Sequence, residues 1–206
     1  MKKVLLPLSM ALLIFATNCK EEKKEDNMTN QDTEMMSGDS NSEMNSDEDE
    51  GMSVAKSMTI NLNSKSGSNV TGTVTFTEDG NDDVQMVAKI SGLKPGVHAI
   101  HVHETADCSS DDAKSSGGHW NPTGQPHGKW GTEDGAYHRG DIGNFVADEN
   151  GEGTVNFHTE LWCIGCEDET KNIVGKAIIV HEGEDDLTSQ PSGAAGKRVS
   201  CAGIIQ

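Results

Sequence analysis

The stretch from His98 to Asp141 constrains this chain more than any other, and it opens on His101-Val102-His103. It follows the turn sequence Leu93-Lys-Pro-Gly96 and has the residue types of a strand. Side chains at i and i+2 share one face of a strand, so His101 and His103 aim two imidazoles at one point while Val102 faces the other way. His98 has the opposite parity and is expected to point away from that site. Two converging imidazoles on a rigid strand make half of a metal site, so the rest of the fold must supply the other half.

The remaining candidates are His119 in Gly117-Gly-His-Trp-Asn-Pro122, His127 in Pro126-His-Gly128, His138 and Asp141 in His-Arg-Gly-Asp, and His181 in Ile178-Ile-Val-His-Glu182. Any one of these could be an ordinary turn or core residue. Six histidines at these positions, with an aspartate three after the last one in the loop, point to metal instead. Imidazole suits copper and zinc, and three histidines with a carboxylate suit tetrahedral zinc. Ligands drawn from several strands and a loop meet only in the folded chain, so metal binding and folding are expected to be linked.

Eight segments of alternating character surround these residues: Ser57 to Asn63, Val70 to Thr77, Val84 to Ile90, Val97 to His103, Ile142 to Ala147, Thr154 to Thr159, Lys176 to His181 and Arg198 to Ile205. Turn sequences such as Glu78-Asp-Gly-Asn81 and Asp148-Glu-Asn-Gly151 separate them, and no segment sustains a helical period. This pattern predicts an all-β antiparallel sandwich or barrel of eight strands. Two loops, Glu104 to Asp141 and Glu182 to Lys197, are too long to be simple connectors and are read as functional.

The first quarter of the 206 residues is different. A basic Met1-Lys-Lys and an apolar run from Val4 to Ala16, too short to span a bilayer, predict a signal peptide over residues 1–18. Ala16-Thr-Asn-Cys19 resembles a bacterial lipoprotein cleavage box, although Asn18 and the missing leucine depart from the pattern. Two outcomes stand, lipidation of Cys19 or ordinary cleavage nearby, and both export the protein; the lipidated form would be a cell-envelope lipoprotein facing the periplasm or the cell surface. Residues 19–53 read as an acidic disordered tether, since 21–50 hold twelve acidic residues and two lysines without apolar periodicity. Its methionines (Met28, Met35, Met36, Met44, Met52) are either part of a solvated spacer or thioether collectors of Cu(I). Residues 54–206 then form one domain with 22 acidic against 11 basic residues, a poor partner for nucleic acid or anionic membrane surfaces. Membrane attachment would come only through the lipid anchor.

With these motifs in hand, the chain resembles the copper–zinc superoxide dismutase family. The resemblance rests on His101-Val-His103, Gly118-His-Trp-Asn-Pro122, His138-Arg-Gly-Asp-Ile-Gly143, Val180-His181-Glu182 and Gly196-Lys-Arg-Val-Ser-Cys-Ala-Gly203, and it covers 57–206. It implies a Greek-key β-sandwich, an architecture long associated with this enzyme class. It also implies copper held by His101, His103, His119 and His181, and zinc held by His119, His127, His138 and Asp141, with His119 bridging. Asp185 would tie a copper ligand to a zinc ligand, with Asp186 as the second candidate, and His98 would be hydrogen-bonded behind the copper site.

The implied activity is dismutation of superoxide to oxygen and hydrogen peroxide by alternating Cu(II) and Cu(I), protecting the cell envelope from extracytoplasmic superoxide. His119 would carry a proton when its bridge opens, and Arg198 would dock the anionic substrate with a guanidinium that is always charged. The resemblance pairs Cys108 with Cys201, leaving Cys163-Ile-Gly-Cys166 in an apparent insertion as a local disulfide, a redox centre or a Cu(I) relay. His158 has no place in the family set and reads as a surface strand residue. The loop from His181 to Arg198 is shorter than in animal-type relatives, so their guidance charges have no match here. A homodimer is compatible with a family whose bacterial members use different interfaces or none. The rival classes are a copper-binding module of the same fold without turnover and a purely structural sandwich, and the second has no use for seven ligands.

Overall fold

The computed structural model describes residues 55–80 and 83–206, so the expected signal peptide over 1–18, Cys19 and the expected tether over 19–53 lie outside the described residues. Eight strands form: β1 (Lys56–Ser64), β2 (Thr71–Glu78), β3 (Val84–Ser91), β4 (Gly96–His103), β5 (Gly143–Ala147), β6 (Gly153–Thr159), β7 (Ala177–His181) and β8 (Arg198–Gly203). Each sits within a residue or two of an alternating segment of the sequence. Lys114–Ser116 adds a single 3-10 turn.

The strands close into an antiparallel barrel in the order β1-β2-β3-β6-β5-β4-β7-β8. Strand β4 does not pair with β3, and β7 does not pair with β6. Both connections cross over intervening strands, as in a Greek key. Two seams are thin. Strands β1 and β8 meet through two residue pairs, and β5 and β6 through the single pair Ala147↔Gly153. The barrel is therefore close to two packed sheets, β1-β2-β3-β6 and β5-β4-β7-β8.

Alternation places one face of each strand inside. Strand β2 buries Val74 and Phe76, and β3 buries Val84, Met86, Ala88 and Ile90 against Ile60 and Leu62 of β1. Strands β4 and β7 differ, because residues of both parities are buried from His98 to His103 and from Ala177 to His181. Ile100, Val102, Ile178 and Val180 join the main core, whereas Ala177, Ile179 and Cys201 form a second small cluster with Ala113 of the long loop. The loop covers the outer face of these two strands. That cover makes a dry, rigid place for histidines on the outside of a barrel.

The Cys108–Cys201 disulfide ties the loop to β8, and Cys163–Cys166 form a second disulfide within the insertion before β7. Arg139 O accepts from Trp162 Nε1 at 2.9 Å, so the insertion also braces the His138–Asp141 turn. His158 lies exposed on β6.

Candidate metal centre

His101 and His103 project from the outer face of β4, paired opposite Ile179 and Ala177 of β7. His181 ends β7 on the same side, at a register shift that places it opposite Arg198. A bulge re-aims side chains, and here it sets a histidine and an arginine side by side. The chain then returns beside β4: Trp120 N–H donates to Val102 O at 2.8 Å and Glu104 N–H to Gly118 O at 3.1 Å, which fixes His119 next to His103. Gly140 sits where a Cβ would overlap Val102 O, so only glycine lets the His138–Asp141 turn approach β4 this closely.

The seven predicted residues meet in two buried groups. His101, His103, His119 and His181 form the first, and His119, His127, His138 and Asp141 the second, with the candidate donor atoms of each group within 4.8 Å of one another. That spacing suits donors placed around an ion with metal–nitrogen bonds of about 2.0–2.1 Å. In the first group, Nδ1 of His101 and Nε2 of His103, His119 and His181 are buried and have no hydrogen-bond partner among the described residues. Four buried lone-pair donors facing one another are costly unless a cation satisfies them. In the second, Asp141 Oδ1 faces Nδ1 of His119 at 2.8 Å, of His127 at 3.0 Å and of His138 at 3.2 Å. His119 belongs to both groups through its two ring nitrogens. The donor sets fit copper and zinc.

Electrostatics support the same use. Burial lowers His101 and lowers His103 and His181 well below the ordinary imidazole value, and Asp185 only partly offsets it at His101. Burial also lowers His119 to about 4 against the pull of Asp141. Neutral imidazole is the metal-binding form. His127 is the exception: burial would lower it, but Asp141 and Asp185 outweigh that and raise it to about 9. Burial would raise Asp141 and Asp185, but hydrogen bonds from the histidines hold both well below the usual carboxylate range.

Around these groups lies a supporting layer. Asp185 joins the two groups, with Oδ2 at 2.8 Å from His101 Nε2 and Oδ1 at 3.0 Å from His127 Nε2. Asp186 instead bonds Thr188 and Ser189 at the surface. His98 Nδ1 is 3.0 Å from His181 O and its Nε2 is 2.8 Å from Lys94 O, behind the first group.

Arg198 is half-buried, and its Nη1 donates to Ala113 O at 2.8 Å and Ser116 Oγ at 3.1 Å. Nη2 has no partner among the described residues, and the guanidinium lines a shallow cavity with Lys197, Lys114 and Asp112. Its charge helps to lower His103 and His181.

Sequence reasoning missed two side-chain amides. Asn144 of β5 pairs with both backbone groups of Asp185, donating to its carbonyl at 2.8 Å and accepting from its N–H at 2.9 Å. Gln190 does the same for His127. Neither has a spacing signal, since an amide reaching a distant backbone leaves no periodic trace.

Fold and site together define a β-barrel protein with two adjoining metal-binding groups that share one histidine. Residues 70–204 match the model of the copper/zinc superoxide dismutase family, and the chain belongs to that family. Among solved structures, a double mutant of a SOD-like protein from Bacillus subtilis is 28% identical, with a TM-score of 0.63, over 72% of this chain and 97% of that one. The clock protein EA4 is 31% identical, with a TM-score of 0.61, over 73% of this chain and 94% of its own.

Proposed function

We propose that this chain is a superoxide dismutase, with copper held by His101, His103, His119 and His181 and zinc by His119, His127, His138 and Asp141. The observation that carries this reading is the set of four buried, partnerless ring nitrogens beside a guanidinium with a free edge. When bound, copper supplies a one-electron couple that takes an electron from one superoxide and gives it to another. The protein's part is to bind, orient and supply protons. Arg198 docks the anion through Nη2 while Ala113 and Ser116 hold Nη1 in place. His119 Nε2 faces the first group as a lone pair without a hydrogen-bond partner, so when it is free of metal it would take up a proton from water and pass it to a peroxide leaving that side. His119 Nδ1 stays turned toward Asp141, which fixes the ring.

The test is superoxide consumption by the full-length oxidised chain, measured beside its copper and zinc content. Fast consumption at one copper and one zinc per chain is expected. Full metal occupancy with negligible turnover would instead mark a copper-binding module. We further propose that the exported, Cys19-anchored form places this activity in the cell envelope. A Cys19→Ser chain that still fractionates with membranes would count against the anchor.

A further inference from the structure

Six of the seven residues in the two groups have their backbones fixed by strands or by hydrogen bonds to neighbouring chain. His101, His103 and His181 lie in ladders, and His119 is bracketed by the bonds of Gly118 and Trp120 to β4. Asp141 N–H donates to His138 O at 3.1 Å, and Gly140 is paired with both Val102 and Trp120. His127 is held less directly: no strand or backbone group among the described residues pairs with it, and beside it only Gly128 N–H donates to the Asp141 side chain, at 3.1 Å. His127 lies midway along the excursion between His119 and His138, away from any strand.

A side chain does the work of a ladder instead. His127 N–H donates to Gln190 Oε1 at 2.9 Å, and Gln190 Nε2 donates back to His127 O at 2.8 Å. This is the two-point pairing of one peptide with another, made by a carboxamide 63 residues away in sequence. The second amide hydrogen goes to Thr188 O at 3.2 Å. Flipping the amide would set Oε1 against two carbonyls and Nε2 against an N–H, so the network fixes its orientation. The same loop grips the ring. Asp185 Oδ1 lies 3.0 Å from His127 Nε2. A Cβ at Gly193 would overlap Asp185 Oδ1 and sit 2.7 Å from His127 Nε2, so this glycine lets the loop close over both.

We infer that Gln190 is a positioning residue for the second metal group: by taking the place of a strand partner it sets His127, and so the zinc affinity. This rests on the proposed assignment of zinc to that group. Gln190 does not touch the reacting atoms and acts only through the His127 backbone. Outer partners of metal ligands typically change affinity by about 10–100-fold when lost. The lower end applies here, because the amide is exposed and its bonds act on backbone rather than on the ring.

The experiment uses the full-length disulfide-bonded chain with Gln190→Met, which keeps length and loses both hydrogen bonds, and Gln190→Glu, which keeps the acceptor for His127 N–H and loses the donor. Zinc affinity is measured by competition with a chelator, the geometry of the second group by the visible spectrum of Co(II) bound there, and copper affinity in parallel. Gln190→Met is expected to weaken zinc about tenfold and alter the Co(II) spectrum, with copper affinity changed less than twofold and Gln190→Glu falling between. Zinc affinity within twofold of wild type and an identical Co(II) spectrum would overturn the inference. An equal fall in zinc and copper affinity would overturn it too, because it would mean general loosening of the loop. A wild-type Co(II) spectrum indifferent to His127→Ala would show that the zinc assignment had failed, and this inference with it.

Discussion

At the scale of single residues, charge decides what each group does. Arg198 donates from Nη1 to Ala113 and Ser116, and in the proposed function its Nη2 docks the anion. Hydrogen bonds to charged groups are worth about 1.5–3 kcal/mol, which is roughly 10–100-fold in rate. Arg198→Ala is therefore expected to lower kcat/KM by that factor and flatten its dependence on ionic strength, with copper content unchanged. Steady-state kinetics on the metal-loaded variant across a salt series, beside copper analysis, check this; unaltered kinetics would remove the docking role.

His127 gives a prediction of opposite character. Its metal-free value is raised to about 9 between Asp141 and Asp185. The protonated ring therefore stabilises the metal-free fold fully below its ordinary value near 6.5, and that contribution is lost as pH rises through about 9. The same proton must leave before the ring can bind zinc. Zinc affinity is expected to rise with pH, by up to about tenfold per pH unit where one proton is displaced, and to level off above about 9. Chelator competition from pH 6 to 10 would show it, and a flat profile would mean that His127 binds no proton in the metal-free protein.

At the scale of elements, the strands were legible because a half-buried strand writes its period of two into the sequence, and His101 and His103 share a parity that places them together. The crossing connections and the outer layer were less legible. Strand β4 is buried on both faces, so its surroundings could not be inferred from alternation alone. The register shift after Val180 that sets His181 opposite Arg198 leaves no mark in composition. Gln190 and Asn144 act on backbone atoms of distant residues, and no residue-type pattern announces such a pairing.

The two disulfides show how loop length separates elements that look alike in sequence. Cys108–Cys201 closes a separation of 93 residues and anchors both the loop segment that holds Arg198 and the strand that carries it. The chain-entropy model gives about 4–5 kcal/mol for so long a loop and about 2 kcal/mol for the short Cys163–Cys166 loop. The shorter turn has a second support. Asn172 accepts from Gly165 N–H at 3.0 Å and donates to Cys166 O at 3.0 Å. The double variant Cys163→Ser/Cys166→Ser is expected to lose the smaller amount and keep its kinetics, whereas Cys108→Ser/Cys201→Ser loses the larger amount and kcat/KM. Denaturant unfolding and kinetics on both pairs would test the ordering, and equal losses would contradict it.

At the scale of the whole molecule, the metal groups sit on one side of a barrel whose seams are thin. All seven donors come from β4, β7 and the covering loops. The β1-β2-β3-β6 sheet contributes none and carries most of the long strand pairing. A metal bound only by the folded chain stabilises it by about 4 kcal/mol at a free concentration a thousandfold above its dissociation constant. For a domain of this size that shifts Tm by roughly 8–16 °C. The loss on chelation is not expected to be uniform. Without an ion, the buried imidazoles of the first group keep their unpartnered nitrogens, so the cost falls on β4, β7 and the loops. Hydrogen exchange before and after chelation should show amide protection falling first there, while β1, β2, β3 and β6 keep theirs until global unfolding. Uniform loss across all eight strands would mean that the thin seams transmit the strain and that the barrel opens as one unit.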